Sequence, residues 1–312
     1  MGLQLEILMF FQSIRSQLLN AIFLLFTVST EVPVIIVISA AMYWCFNKRI
    51  GQRLLFSLIS NFVINTGIKE FVKAPRPIGT SGLESMRVST ATGFSFPSGH
   101  TQSTTSFWAT LILLIKRPWV YIVGTIMIIG VGISRLYLAV HWPVDVLFGW
   151  IFGILLSIIF VKIFDYVDEN KKYWILIIFL IIYGIIAYFL GSDSYIEYLG
   201  IMTGFTIGYI VEDVFIKFRT EQNNKNSINF SKYTKNESND TLTKIKRLIL
   251  GATTLVLVYI ALKLVVNMIP NYFTITNMDS FNVLESFFKY AILIFVGVAG
   301  VPALFKVFKL EI

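Results

Sequence analysis

Residues 143–163 read PVDVLFGWIFGILLSIIFVKI and give the clearest indication of the fold class. The stretch is almost wholly apolar and has about the 20-residue length that an α-helix needs to cross the hydrocarbon core of a bilayer. Pro143 suits the first turn of a helix, where its missing N–H is not needed. The stretch therefore predicts a membrane-spanning helix that starts at Pro143 and carries Asp145 in its first turn.

Similar apolar stretches recur along the rest of the chain. Of its 312 residues, 56% are hydrophobic and 14% are charged, and the mean hydropathy of +0.74 is well above that of a soluble domain. The sequence thus predicts an all-α, polytopic membrane helix bundle. The expected spans lie near residues 16–29, 32–47, 54–73, 99–115, 119–139, 143–163, 174–190, 196–216, 248–266 and 284–305.

The start of the chain is the weakest part of this pattern. Residues 3–17 mix Glu6, Gln12 and Arg15 with apolar residues, a composition typical of a helix that lies in the membrane interface. Nine spans is therefore the alternative to ten.

Membrane topology explains the net charge of +8. Lysine and arginine are concentrated in alternate loops, at residues 48–53, 116–117, 162–172 and 217–247, and the positive-inside rule places these loops in the cytoplasm. Because the basic residues lie between spans and not on a soluble face, no nucleic-acid partner is expected. Those that fall on the opposite side are Lys69, Lys73, Arg76, Arg87 and Arg135.

The expected domain layout has four parts. Residues 1–163 form a core of six helices, residues 164–216 add two transmembrane helices, and residues 248–312 hold the last two. Between them, residues 217–247 are rich in Asn and Lys and poor in apolar residues, which predicts a flexible cytoplasmic linker.

Cysteine and histidine are scarce. Cys45 is the one cysteine, so no intrachain disulfide can form. With two histidines in the chain, a multi-histidine metal site is not expected.

Three segments place strongly polar residues at the ends of apolar helices on the face opposite to the basic loops. The first contains Lys69 and Arg76, which is followed by Pro77. The prolines at positions 75 and 77 stop the helix and leave Arg76 on an extended segment. Taken alone, this segment equally suits basic side chains that reach for lipid headgroups.

The second segment is Pro97-Ser98-Gly99-His100, at the start of the span near 99–115. A serine cap, a glycine that allows close approach and free backbone N–H groups form an anion site at a helix N-terminus. A plain helix cap would explain Ser98 and Gly99 alone. It does not explain His100, whose imidazole can donate a proton to a leaving oxygen.

The third segment contains Ser134, Arg135, His141 and Asp145. His141 and Asp145 are four residues apart and share one face of a helix. A carboxylate at one ring nitrogen fixes the imidazole tautomer and leaves the other nitrogen as a nucleophile. A polar pair that merely satisfies itself near the interface is the alternative, and it accounts for neither Ser134 nor Arg135.

Together the segments supply three cations, a helix N-terminus, two imidazoles and a carboxylate, a set suited to phosphate. In residue types, order and spacing they resemble the tripartite signature of the type 2 phosphatidic acid phosphatases, a family related to bacterial acid phosphatases and vanadium haloperoxidases. The resemblance covers residues 16–163, and the rest of the chain lies outside it.

The resemblance implies a role for each site residue. His141 would attack phosphorus to form a phosphohistidine, Asp145 would orient its ring, and His100 would protonate the leaving oxygen and then activate water. No metal or other cofactor is implied. The phosphate would be held by Lys69, Arg76, Arg135, the backbone and hydroxyl of Ser98, and the amide of Gly99.

The implied function is a metal-independent lipid phosphatase of the cell membrane, with its site on the extracytoplasmic face. Isoprenyl diphosphate, phosphatidylglycerol phosphate, phosphatidic acid and sphingoid-base phosphates all fit a site at headgroup depth. The extra helices resemble the sphingosine-phosphate and glucose-6-phosphatase branches. A lipid phosphotransferase that uses the same phosphohistidine and a lipid transporter on a phosphatase scaffold are the alternatives. The loop of residues 79–96, which contains Arg87, either covers the site and contacts the headgroup or is a solvated surface loop.

Overall fold

The computed structural model describes residues 2–220, 237–272 and 278–311. The regular secondary structure in these ranges is helical and contains no strand, so the predicted all-α membrane bundle is confirmed. The helices are α1 (Gly2–Ser13), α2 (Gln17–Val28), α3 (Val32–Ala41), α4 (Lys48–Val72), α5 (Gly99–Ile115), α6 (Pro118–Tyr137), α7 (Pro143–Asn170), α8 (Trp174–Leu190), α9 (Asp193–Val211), α10 (Glu237–Tyr272), α11 (Met278–Phe295) and α12 (Val301–Val307), with π-helical turns at Met42–Phe46, Glu212–Ile216 and Val296–Gly300.

The chain divides into two compact units. The first contains Met1–Ile38 and Ser60–Phe164, and the second contains Ser39–Ile59 and Asp165–Ile312. The first unit holds the three polar segments, and the second holds the C-terminal helices.

In the first unit, α1 and α2 are separate helices whose axes differ by 118°. Ser16 begins α2 as its N-cap and accepts a hydrogen bond from the amide of Leu19. The sequence expectation of a distinct helix before the first span therefore agrees with the structure.

The N-terminal half of α5 is polar and buried, and it joins α4 to α7. On one side Asn65 donates to Oε1 of Gln102 over 2.8 Å. On the other, Gly149 and Gly153 of α7 leave room for Thr101 and Thr105, because a Cβ on Gly153 would lie 2.5 Å from Cβ of Thr105. Small residues at such contacts allow membrane helices to approach closely. This packing holds the start of α5 beside the start of α7.

The second unit is held by a glycine contact between α9 and α11. A Cβ on Gly200 would lie 2.4 Å from the carbonyl oxygen of Phe287, and one on Gly204 would lie 2.2 Å from that of Ala291. Because no side chain larger than hydrogen fits there, the two backbones touch directly.

A buried ion pair also lies in the second unit. The Glu212 carboxylate is fully buried and accepts from Lys48 Nζ over 2.7 Å and from the amide of Phe218 over 2.8 Å. These hydrogen bonds offset the loss of water around the charge.

Each of the ten predicted spans coincides with a helix, but the structure supports fewer spans. By length and composition, five helices within the described residues can cross a membrane, or six if α1 and α2 count as one broken span. The prediction of ten is therefore too high by this measure. The physical reason is that Val32–Phe46, α5 and α8 have fewer than 18 residues, whereas α4 is long enough but carries Asn61, Asn65 and Lys69 in its apolar part.

The predicted linker of residues 217–247 overlaps residues 221–236, which lie outside the described ranges. Helix α10 begins at Glu237, so the chain is helical earlier than the predicted end of the linker.

Replacing Gly204 with Ala is expected to lower the melting temperature of the purified protein in detergent. The added methyl group must push α9 and α11 apart, and overpacking of this kind destabilises by about 1–3 kcal/mol. The matched control is Gly184→Ala in α8, where a Cβ meets nothing within 4 Å and the better helix propensity of Ala should leave stability unchanged or slightly raised. Equal melting temperatures for both variants would contradict the backbone contact.

Candidate active site

The predicted pair of His141 and Asp145 is present at the start of α7. Nδ1 of His141 lies 3.4 Å from Oδ2 of Asp145, and both residues are only 1% exposed. The same Oδ2 accepts from the amide of Trp142 over 2.8 Å. The carboxylate thus orients the imidazole ring and closes the turn before the helix.

Ser95 is a third member of this group, and the sequence analysis missed it. Its hydroxyl donates to Oδ2 of Asp145 over 2.5 Å and lies 3.3 Å from Nδ1 of His141. Its amide donates to the carbonyl of Ala74, which fixes the loop around it. No helix or strand period relates Ser95 to Asp145; its one sequence signal is that it stands three residues before Ser98.

Arg76 lies on the other side of the imidazole. Its Nη1 is 3.0 Å from Nε2 of His141, while its other donors reach the carbonyls of Thr92, Gly93 and Val140. With the proton on Nδ1 facing Asp145, Nε2 carries the lone pair and accepts from Arg76. Burial, followed by the charge of Arg76, lowers the pKa of His141 well below its usual range. The ring is therefore neutral at ordinary pH.

The Ser98-Gly99-His100 segment begins α5 as predicted, but one of its donors is already used. The amide of Ser98 donates to the backbone carbonyl of Asp145 over 3.0 Å. The hydroxyl of Ser98 accepts from Thr101 over 2.9 Å. The amides of Gly99 and His100 have no partner among the described residues, so both can donate to an anion at the start of the helix.

His100 faces the site without being held by it. Its side chain is partly exposed and makes no hydrogen bond to any residue within the described ranges. Among the charged side chains, Arg135 and Arg76 act most strongly on the imidazole.

Arg135 is buried without a carboxylate partner among the residues described. It is 1% exposed, its Nη1 has a long 3.4 Å contact to the hydroxyl of Thr27, and its Nε has no hydrogen bond in the described structure. A buried guanidinium with unused donors is unfavourable unless an anion binds it.

Lys69 connects the first segment to the second. Its Nζ donates to the carbonyl of Phe94 and lies 3.4 Å from that of Ser95. Its Cε would be 3.9 Å from a Cβ on Gly99, so the ammonium group stands beside the start of α5. Direct contacts thus connect most of the residues that the sequence proposed for the site, in two groups: Arg76, His141, Asp145 and Ser98, and Lys69 with Gly99.

Within the described residues there is no group of three or more His, Cys, Asp or Glu side chains that could hold a metal ion. The charges available to an anion come from Lys69, Arg76 and Arg135.

Two family models match the chain. Residues 51–169 match the PAP2 superfamily, and residues 196–311 match the PAP2 superfamily phosphatase, transmembrane extension. The chain is therefore a multi-pass membrane protein that belongs to the PAP2 superfamily. The second match corrects the expectation that the chain beyond residue 163 lies outside the resemblance.

Three curated relatives are similar over part of the chain. An undecaprenyl-diphosphatase of Sulfolobus acidocaldarius is 33% identical over 116 residues, which are 37% of this chain and 56% of that protein. Phosphatidylglycerophosphatase B of Bacillus subtilis is 30% identical over 150 residues, 45% of this chain and 70% of that protein. Sphingosine-1-phosphate phosphatase 1 of Rattus norvegicus is 30% identical over 162 residues, 48% of this chain and 37% of that protein.

Two solved structures are also similar. LpxE of Aquifex aeolicus aligns with a TM-score of 0.47 and 24% identity over 51% of this chain and 95% of that one. A transmembrane PAP2 type phosphatidylglycerolphosphate phosphatase from Bacillus subtilis aligns with a TM-score of 0.43 and 28% identity over 53% of this chain and 85% of that one.

Replacing Ser95 with Ala is expected to lower kcat about 10- to 100-fold with little change in KM. A hydrogen bond to a charged group contributes about 1.5–3 kcal/mol, and here it positions Asp145 against His141 without touching substrate. Steady-state release of phosphate from a lipid phosphate measures the effect.

The control is Ser103→Ala, because the buried hydroxyl of Ser103 donates only to the backbone carbonyl of His100 within its own helix. Both variants should keep the wild-type melting temperature within a few degrees. An unchanged kcat for Ser95→Ala, or an equal loss in the control, would exclude this positioning role.

Proposed function

We propose that this protein is a metal-independent lipid phosphatase that works through a phosphohistidine at His141. The observation that carries the proposal is the neutral, buried imidazole of His141. Its Nδ1 faces Asp145, and its Nε2 faces Arg76 at 3.0 Å. A neutral ring with its lone pair directed toward a cation is suited to attack a phosphoryl group bound by that cation.

The first step transfers the phosphoryl group to the protein. When substrate binds, a phosphate oxygen accepts the hydrogen bond that Arg76 otherwise donates to Nε2 of His141. The lone pair of Nε2 is then free to attack phosphorus in line. The bond between phosphorus and the lipid oxygen breaks as the N–P bond forms, and His100 gives a proton to that oxygen. Lys69, Arg135 and the amide of Gly99 stabilise the charge on the equatorial oxygens.

The second step returns the protein to its starting state. His100, now neutral, accepts a proton from water, whose oxygen attacks phosphorus. The N–P bond breaks, inorganic phosphate leaves, and Nε2 recovers its lone pair. Asp145 holds the Nδ1 proton throughout and stabilises the positive charge on the phosphorylated ring.

The relatives support a lipid substrate. Their names specify an isoprenyl diphosphate, phosphatidylglycerol phosphate and sphingosine 1-phosphate. All three carry a terminal phosphate at headgroup depth and an apolar tail in the bilayer, as does phosphatidic acid. We infer that this protein acts on a lipid of this kind at the outer face of the cell membrane, because the basic loops mark the opposite side as cytoplasmic.

Two alternative functions predict different experimental results. A phosphotransferase would pass the group from His141 to an alcohol and release little free phosphate. A transporter on this scaffold would keep its cellular activity in the His141→Ala variant. The complete set of polar residues in the site speaks against the transporter.

A brief incubation of the purified protein with a lipid phosphate labelled in its terminal phosphate should yield labelled protein. The label is expected to be stable in base and labile in acid, as a phosphoramidate bond is. His141→Ala should carry no label and release no phosphate, because the nucleophile is missing. EDTA should leave both measurements unchanged.

Lys309→Ala is the control, since Lys309 is remote in sequence and outside the site. Label retained in His141→Ala would refute the phosphohistidine, and loss of activity in EDTA would refute the metal-free mechanism.

Cysteine labelling tests the proposed topology. The native Cys45 is buried, so it should react little. Ser81→Cys, in the loop beside the site, is expected to react with a membrane-impermeant maleimide in intact cells. Lys116→Cys, at the other end of α5, should react only after the cells are permeabilised. The reverse pattern would place the site in the cytoplasm.

A further inference from the structure

Helix α2 packs antiparallel to α6, along the face of α6 that ends beside Arg135. Tyr137 and Gly130 are seven positions apart and share one face of α6. The hydroxyl of Tyr137 donates to Oδ1 of Asn20 over 2.6 Å. A Cβ on Gly130 would lie 2.4 Å from Cε1 of Phe26, so the phenyl ring occupies the space of a side chain there. These two contacts fix α2 against α6 over two helical turns.

Between these contacts, the hydroxyl of Thr27 joins two consecutive residues of α6. It lies 2.8 Å from Oγ of Ser134 and accepts from Nη1 of Arg135 over 3.4 Å. Ser134 donates its own proton to the carbonyl of Val131 over 2.7 Å. Because a hydroxyl has one proton, Thr27 must donate to Ser134, and its lone pairs remain for Arg135. The result is a directed chain of hydrogen bonds, from the guanidinium through two hydroxyls to a backbone carbonyl.

This chain is the polar contact that the described residues give to the Arg135 side chain. The contact of Nη1 with Thr27 is the hydrogen bond shown for the guanidinium, and Nε is buried without a partner within the described ranges. Both residues are buried, with exposures of 0% and 1%. An arginine side chain has many rotamers. Removing the Thr27 hydroxyl would therefore leave the orientation of the guanidinium to apolar packing.

Arg135 is connected to the nucleophile through its backbone. Its carbonyl accepts from the amide of Val140 over 3.3 Å. The carbonyl of Val140 accepts from Nη1 of Arg76 over 3.0 Å, and the same Nη1 lies 3.0 Å from Nε2 of His141. The main chain of Arg135 is thus fixed by the site, whereas its side chain is fixed by α2.

We propose that Thr27 is a positioning residue for phosphoryl transfer. Its hydroxyl holds one edge of the Arg135 guanidinium, so that the arginine keeps one orientation toward the equatorial oxygens of the transferred group. This inference rests on the proposed function, in which Arg135 stabilises those oxygens. Thr27 acts through Arg135 and not on the substrate. Neither family match includes it, because α2 ends at Val28 and the first match begins at residue 51.

The orientation of Arg135 matters most in the transition state. As the bond between phosphorus and the lipid oxygen breaks, negative charge spreads over the three equatorial oxygens. A donor that is oriented beforehand stabilises this charge without reorganising, and a mobile donor stabilises it less. Removing the Thr27 hydroxyl should therefore lower kcat/KM and weaken the binding of a transition-state analogue together.

The test compares Thr27→Val, Thr27→Ala and Thr27→Ser with the wild-type protein in detergent. The substrate is whichever of farnesyl diphosphate, phosphatidylglycerol phosphate and phosphatidic acid the wild type hydrolyses fastest, and the analogue is orthovanadate. Thr27→Val and Thr27→Ala should lower kcat/KM about 10-fold and raise the inhibition constant of orthovanadate by a similar factor, because a hydrogen bond to a charged group is lost. Thr27→Ser keeps the hydroxyl and should stay within about threefold of the wild type.

The inhibition constant separates positioning from folding. A partly folded variant contains less active protein, which lowers the apparent kcat but leaves KM and the inhibition constant unchanged. Thr27→Ala decides the question if Thr27→Val does not fold. Thr30→Val is the matched control, because Thr30 is also buried and its hydroxyl, within the described part of the chain, donates only to the carbonyls of Phe26 and Thr27. This control should match the wild type in both measurements.

The opposite results would overturn the positioning role and leave the phosphatase intact. They are a wild-type inhibition constant in the variants that lack the Thr27 hydroxyl, an equal increase in Thr30→Val, or a loss in Thr27→Ser as large as in Thr27→Val. If the wild-type protein releases phosphate from none of the three lipids, the proposed function itself fails, and this inference fails with it.

Discussion

Asp145 is the residue on which the geometry of the site depends. One carboxylate oxygen accepts from Ser95 and from the amide of Trp142 and faces Nδ1 of His141. Its backbone carbonyl accepts from the amide of Ser98. A single residue at the start of α7 thus orients the imidazole and fixes the loop that leads into α5. Because the residue is buried, each of these hydrogen bonds is formed away from competing water and is correspondingly strong.

The cations around this centre impose a second constraint. Arg135 is buried with unused donors, and Lys69 and Arg76 donate mainly to backbone carbonyls, which solvate their charges without neutralising them. Such an arrangement is unfavourable in an unliganded protein, and the buried polar contacts of α5 with α4 and α7 help to hold it. The positive electrostatic potential of these side chains favours the binding of an anion with several charges over the binding of a neutral lipid. The same positive potential disfavours a second positive charge on the imidazole, which is why His141 is neutral in this site.

The C-terminal helices pack partly through direct backbone contact. In the second unit, the backbones of α9 and α11 touch at Gly200 and Gly204, in addition to a side-chain core that includes Phe205 and Phe305. The match of residues 196–311 to the transmembrane extension of the PAP2 superfamily shows that these helices are a feature of the family and not an unrelated addition. They carry none of the residues proposed for catalysis.

The sequence by itself determined the helices and the composition of the site, because both are local properties. Apolar runs predict helices wherever they occur, and a spacing of four places His141 and Asp145 on one face. Tertiary structure alone decided which distant residues complete these groups. The hydroxyl of Ser95 donates to Asp145, and Arg87 donates to Glu31. The amide of Ser98 donates to the backbone carbonyl of Asp145, 47 positions further along the chain. No periodic pattern encodes such contacts, since they depend on how helices and loops pack. The polar half of α5 is likewise explained by tertiary structure, because it is buried against α4 and α7.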